Sequence, residues 1–159
     1  MNTKPGRWVV SFLILPLLGC GGEGGGGDAR PAIHLEGSWA RAMPLVSGEG
    51  EAPTNSAVYF LIRNDGRLDD RLTGAASQVA DGTEIHESKI VNDMMVMEEQ
   101  DGLHIPAGSS VELRPGGLHI MLLGLRRPLL EGEEFELLLE FEKSGELSVV
   151  VPVRSNAGG

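Results

Sequence analysis

The sequence predicts an all-β domain, a sandwich with Greek-key connections, and three observations carry that prediction. Apolar residues alternate with polar ones in several short segments, Gly and Pro punctuate the gaps between them, and no stretch has the periodicity of an amphipathic helix. Seven or more short strands separated by frequent turn signals fit a β-sandwich better than any mixed architecture.

Taken in order, "AVYFLIR" (57–63) is rich in aromatic and β-branched residues and ends at the turn "NDG". "TEIHESKI" (83–90), "MMVMEE" (94–99), "SVELRP" (110–115) and "LHIMLLGL" (118–125) follow as strand candidates. "DGLHIPAG", "RPGG" and "RRP" supply turns between and after them. In "EFELLLEFE" (134–142), Phe135, Leu137, Leu139 and Phe141 share one face, with Glu136, Glu140 and Glu142 on the other. "KSGE" then turns into "LSVVVPV", where Leu147, Val149, Val151 and Val153 share a face, so these two segments predict a hairpin. The acidic stretch 131–146 reads as the solvated face of that hairpin. No internal repeat is found.

The start of the chain does not read as a folded domain. Lys4 and Arg7 precede "WVVSFLILPLLG", an apolar run too short to span a bilayer and suited to a signal-peptide core. The only cysteine, Cys20, follows in "LLGC". Gly just before Cys, with Leu two and three positions before, resembles the lipobox of bacterial lipoproteins. That resemblance implies cleavage before Cys20 and a diacylglycerol on its sulfur. The expected organisation is a signal peptide over 1–19, a lipidated Cys20 with a Gly-rich tether over 20–30, one domain over 31–153 and a short tail over 154–159. The chain is then an exported lipoprotein, anchored to a membrane and facing the periplasm or the cell exterior. Loss of residues 1–19 removes two basic residues and no acidic one, so the mature chain is more negative than the −10 of the whole sequence. Such a surface argues against nucleic-acid partners and against electrostatic docking on anionic lipid.

Enzyme signatures are missing from the sequence: no phosphate-binding Gly loop, no G-x-S-x-G, no H-E-x-x-H and no cysteine nucleophile in the domain. The expectation is a non-enzyme. What stands out is four His and, including the initiator, six Met. His119 and Met121 sit two apart in a strand, so they project from the same face about 6.6–7 Å apart, while Ile120 and Leu122 point the other way. Imidazole suits Cu, Zn, Fe or Ni, whereas a neutral thioether selects Cu(I). A cysteine-free set of such donors suits an exported protein, since it cannot oxidise to a disulfide. Buried Met is usually core filler, so the pair by itself is weak.

The wider spacing is more specific. His86, ten residues, Met97, twenty-one residues, His119, one residue, Met121 matches the H-x10-M-x21-H-x-M pattern of the PCuAC-type periplasmic copper chaperones. The resemblance extends through "SWARAMP" (38–44), "AVYFLIRNDG" (57–66), "LTGAAS" (72–77), the long segment 102–141 and the closing "VVVPV". It implies a cupredoxin-like Greek-key β-sandwich with one Cu(I) near one end, held by His86, Met97, His119 and Met121. It also implies transfer of copper to a recipient outside the cytoplasm, commonly toward cytochrome oxidase assembly.

This chain departs from the pattern in places. Many members place Met two and four residues after the first His, where this chain has Ser88 and Ile90. It carries Met94 and Met95 instead, and the pleat puts Met95 on the face of Met97. Met95 is the alternative ligand of the two, although packing is the plainer reading. The ending "RSNAGG" lacks the His/Met-rich tail that gives some members a second copper site, so one site is expected. His104 reads as a surface residue on a turn, His34 as non-functional, and Trp39 and Tyr59 as packing residues. Two other classes compete. A metal-free sandwich acting as an assembly or adhesion module would pack the His and Met in its core. A redox cupredoxin would rely on a thiolate ligand that this domain lacks.

Overall fold

The structure is a computed structural model and describes residues 29–44 and 54–155. The signal peptide, Cys20, most of the tether and the end of the tail lie outside those residues. The described chain is all-β: β1 (Ile33–Arg41), β2 (Ser56–Asn64), β3 (Asp70–Ala76), β4 (Ala80–Val91), β5 (Met94–Glu99), β6 (Leu103–Ile105), β7 (Ser109–Leu113), β8 (Leu118–Leu125), β9 (Glu134–Phe141) and β10 (Gly145–Arg154). The hydrogen-bonded order is β5-β4-β8-β2-β1-β10-β9-β3-β6, with β7 on β2 beyond the end of β8.

That single path folds over at one joint. β1 and β10 pair in parallel only through Ala40–Val153 and Arg41–Arg154. On one side of the joint lie β5, β4, β8, β2 and β1, and on the other β10, β9, β3 and β6. The inward side chains of both halves form one cluster, including Val58, Ile62 and Ile120 from the first and Leu72, Leu137, Leu139 and Val151 from the second, each fully buried. Two sheets closed over one core form the sandwich the alternation predicted.

β9 illustrates why these residues make strands. Phe135, Leu137, Leu139 and Phe141 are all buried, while Glu134, Glu136 and Glu140 are exposed. Each such apolar side chain contributes about 1.5–3 kcal/mol by leaving water. The turn into β10 is fixed from β3. Buried Asp70 accepts the backbone N–H of Lys143 and of Ser144 and the Ser144 hydroxyl, and also the N–H of Arg71.

Strands β4, β5, β7, β8, β9 and β10 and the heart of β2 follow the sequence reading within a few residues. β1, β3 and β6 were not predicted. His104 is a surface residue as expected, 3.4 Å from Asp69, but it lies in strand β6 and not on a turn. Its neighbours Leu103 and Ile105 point into the core and hold the segment against β3.

Candidate metal centre

The strands that carry the His and Met residues are adjacent. β4 and β8 pair so that His86 lies directly opposite His119 and Glu84 opposite Met121. Directly opposed residues project from the same face with Cβ atoms about 4.5–5.5 Å apart. Ile85 and Ile120, one position along, point to the core. His86, His119 and Met121 are therefore on the outer face of the first sheet, away from the core. The expectation put the predicted ligands near one end of the sandwich; these three lie on a sheet face near its β5 edge.

Met97 reaches the same face from β5. It pairs with Ser88, and Met95 pairs with Ile90, so both alternate in phase with His86. Met94 pairs with Val91 and points the other way. A cleft of roughly 260 Å³ opens here, and Met95, Met97, His119 and Met121 line it together with Tyr59 and Arg41. His86 is not one of its walls. Its ring meets that of His119 edge-on, with centroids 5.9 Å apart.

Burial falls across the four predicted residues. His119 is buried at 5% exposure, Met121 is half-buried, the His86 side chain is 16% exposed and Met97 is 51% exposed. Tyr59 lies against His119, with centroids 6.3 Å apart, and Trp39 stacks on Tyr59 at 4.6 Å. Trp39, Ala57 and Tyr59 form a small cluster separate from the core, which covers β2 on its outer face. Arg41 donates from Nη2 to the Tyr59 hydroxyl oxygen at 3.1 Å.

The hydrogen bonds fix which ring nitrogens are available. His119 Nδ1 lies 3.0 Å from the Gly117 carbonyl, which can only accept, so Nδ1 carries the proton and Nε2 is the bare nitrogen. Burial, helped by the nearby His86 and Arg41, pushes the His119 pKa below its ordinary value despite that bond to Gly117. The shift favours the neutral ring, the state a metal requires. His86 Nε2 lies 2.7 Å from Glu84 Oε2, and His86 Nδ1 is buried with no hydrogen-bond partner. An unpartnered buried nitrogen on a ring whose centroid is 5.9 Å from that of a second imidazole suits a metal. Among the described residues no group of three or more His, Cys, Asp or Glu could hold one. A metal here would need the thioethers.

The sequence reading missed Glu84, Arg41 and the place of Tyr59. Glu84 was discoverable: it is two residues before His86 in a strand, hence on the same face. Tyr59 and Arg41 come near only through the β1–β2–β8 register, which no local signal encodes. His34 is exposed on β1, 3.8 Å from Asp65, and far in register from this face.

Comparison with known proteins agrees with this architecture. The family described as "Putative lipoprotein LpqE-like" matches residues 33–153. The "Putative lipoprotein Lxx21020" of Leifsonia xyli subsp. xyli (strain CTCB07) is 32% identical over 152 residues, covering 94% of this chain and 89% of that protein. Among solved structures, "Copper-bound PCuAC domain from PmoF2" superposes with a TM-score of 0.61 at 29% identity, covering 78% of this chain and 93% of that one. "CuI-DR1885" from Deinococcus radiodurans gives a TM-score of 0.55 at 27% identity, covering 85% and 86%.

Proposed function

The chain belongs to the LpqE-like family, and from that premise we propose that it is an exported lipoprotein that carries one Cu(I) and passes it to a partner. His86, Met97, His119 and Met121 are the ligands. Two of the similar structures, a PCuAC domain described as copper-bound and a protein described as CuI-DR1885, support the choice of metal.

One observation carries the reading: two facing imidazoles, each with a nitrogen free of protein partners, beside a cleft lined by Met97 and Met121. Cu(I) is soft and needs no charged ligand, so neutral imidazole and thioether donors match it. Zn²⁺ would draw on thiolates or carboxylates, and no such cluster exists among the described residues. Thioethers also let metal go without first being protonated, which suits transfer over storage. The half-exposed Met97 is the side from which a recipient's ligand would enter. This is carriage and not catalysis.

The lipobox-like "LLGC" and the lipoprotein relative support export and anchoring through Cys20, with the Gly-rich segment as tether. The recipient is a copper-accepting protein outside the cytoplasm, with cytochrome oxidase assembly components as the example the resemblance offers.

A competition titration against a chromophoric Cu(I) chelator tests this reading. One Cu(I) per chain is expected, and the double variant His119→Ala, Met121→Ala should weaken binding by more than about 100-fold, beyond the usual effect of altering an outer-shell partner. A double variant that kept the parent affinity would overturn the ligand assignment. If the parent bound no Cu(I), the metal-free assembly module would stand instead.

A further inference from the structure

We infer that Glu84 is a positioning residue of the metal centre, holding His86 in the tautomer that offers Nδ1, and not Nε2, to the metal. This rests on the Cu(I) reading of the same site and adds which atom binds and what orients it.

Four residues form a two-by-two block on the sheet face: Glu84 and His86 along β4, Met121 and His119 along β8. Within the block, Glu84 Oε2 and His86 Nε2 are 2.7 Å apart. An ionised carboxylate only accepts, so Nε2 must carry the proton. In the neutral ring that leaves the lone pair on Nδ1, the one buried side-chain nitrogen or oxygen among the described residues without a partner. A buried polar atom with no partner is costly, and a metal at that position would remove the cost.

His119 has the opposite arrangement. Its Nδ1–H donates to Gly117, and its Nε2 is bare. The two rings are therefore fixed in different tautomers by different acceptors, one a backbone carbonyl and one a side-chain carboxylate. A carboxylate or carbonyl behind a metal-bound imidazole fixes its orientation and raises its basicity.

A plain surface role for Glu84 fits poorly. Its side chain is only 36% exposed, its one ion-pair partner among the described residues is His86, and it lies directly opposite Met121 in the β4–β8 register. A carboxylate would be better solvated elsewhere. Its charge also offsets the positive charge that Cu(I) brings to a set of neutral donors.

The test is long-range ¹H–¹⁵N correlation NMR on the ¹⁵N-labelled chain, which reads each ring's tautomer before and after Cu(I), a diamagnetic ion. The parent should have His86 protonated at Nε2 and His119 at Nδ1. Cu(I) should then shift His86 Nδ1 and His119 Nε2. Glu84→Ala should leave His86 in mixed tautomers and weaken Cu(I) binding about 10–100-fold. Glu84→Gln, whose amide oxygen accepts the same N–H, should retain the tautomer and most of the affinity. Its backbone spectrum also separates a positioning effect from loss of the fold. A Cu(I) shift at His86 Nε2, or a Glu84→Ala chain with parent tautomer and affinity, overturns the inference and leaves the Cu(I) site intact. A parent in which neither ring responds to Cu(I) overturns the Cu(I) reading, and the inference falls with it.

Discussion

The β4–β5 and β9–β10 hairpins are built from the same period-2 alternation and use it in opposite ways. In β9 the apolar set Phe135, Leu137, Leu139 and Phe141 is buried between the sheets. In the β4–β5 hairpin Ile90, Met94, Met95 and Met97 are 73%, 66%, 69% and 51% exposed. β9 lies inside the hydrogen-bonded order with partners on both sides, whereas among the described residues β5 is an edge strand paired only with β4. Even their turns differ. The β9–β10 turn is tied to the body through Asp70. The β4–β5 turn is local, with both Asn92 and Asp93 at positive φ, as a two-residue type I′ turn requires. One hairpin spends its apolar residues on the core. The other leaves Ile90 and Met94 in solvent and sets Met95 and Met97 in the wall of a cleft. Exposed Met in an edge hairpin contributes little packing, which is consistent with the ligand role proposed for Met97.

The largest expected contrast is in stability. Leu139→Ala, at a fully buried position, should cost about 2–5 kcal/mol. Met95→Ala should stay within about 0.5 kcal/mol, as for surface substitutions generally. Urea unfolding of the metal-free chain measures both, and equal costs would break the contrast between the hairpins.

Metal should add a contribution that runs through the edge hairpin. Free Cu(I) at 100 times its dissociation constant should stabilise the chain by about 2.7 kcal/mol, seen as a rise in Tm. Met97→Leu should leave the metal-free Tm nearly unchanged and lose much of that rise. A Met97→Leu chain with the full rise would transfer the fourth-ligand role to Met95, and Met95→Leu in the same assay would then show the loss.

A smaller effect concerns the anchored turn. Burial alone would raise the Asp70 pKa, but the hydrogen bonds from Ser144, Lys143 and Arg71 outweigh it and hold the carboxyl below its ordinary value. The unfolded chain then takes up the proton first as the pH falls. The stability Asp70 supplies is full above about pH 4 and is lost as the pH drops through its depressed folded pKa. Asp70→Asn should cost about 1–3 kcal/mol near neutrality and flatten the acid limb of a stability–pH curve. An unchanged acid limb would mean that the turn is held by something else.

Most of the strands were legible because they are apolar-rich or alternating runs bounded by turn residues. β8 and β5 coincide with "LHIMLLGL" and "MMVMEE". The strands that were not legible have physical reasons. β1 carries Gly37 at positive φ and slips register between Glu36 and Trp39, so its alternation changes phase midway. β3 slips between Leu72 and Gly74 and ends in small residues. β6 is three residues long inside a run of turn signals, too short for any period to appear. At the candidate site, in-strand geometry made His119 and Met121 neighbours. The juxtaposition of His86 with His119 depends on the β4–β8 register, which local sequence does not specify. Glu84 shows the reverse error: period-2 reasoning that set acidic residues on solvent faces passed over one that lies 2.7 Å from His86 on the candidate face.

The central claim is a soft, cysteine-free copper site on the outer face of the β4–β8 pair. A copper K-edge X-ray absorption spectrum of the Cu(I)-loaded chain tests it most directly. The account predicts a Cu(I) edge with two nitrogen and two sulfur scatterers, the sulfur component falling in Met97→Leu and again in Met121→Leu. A first shell of nitrogen and oxygen alone, unaltered by either substitution, would contradict it.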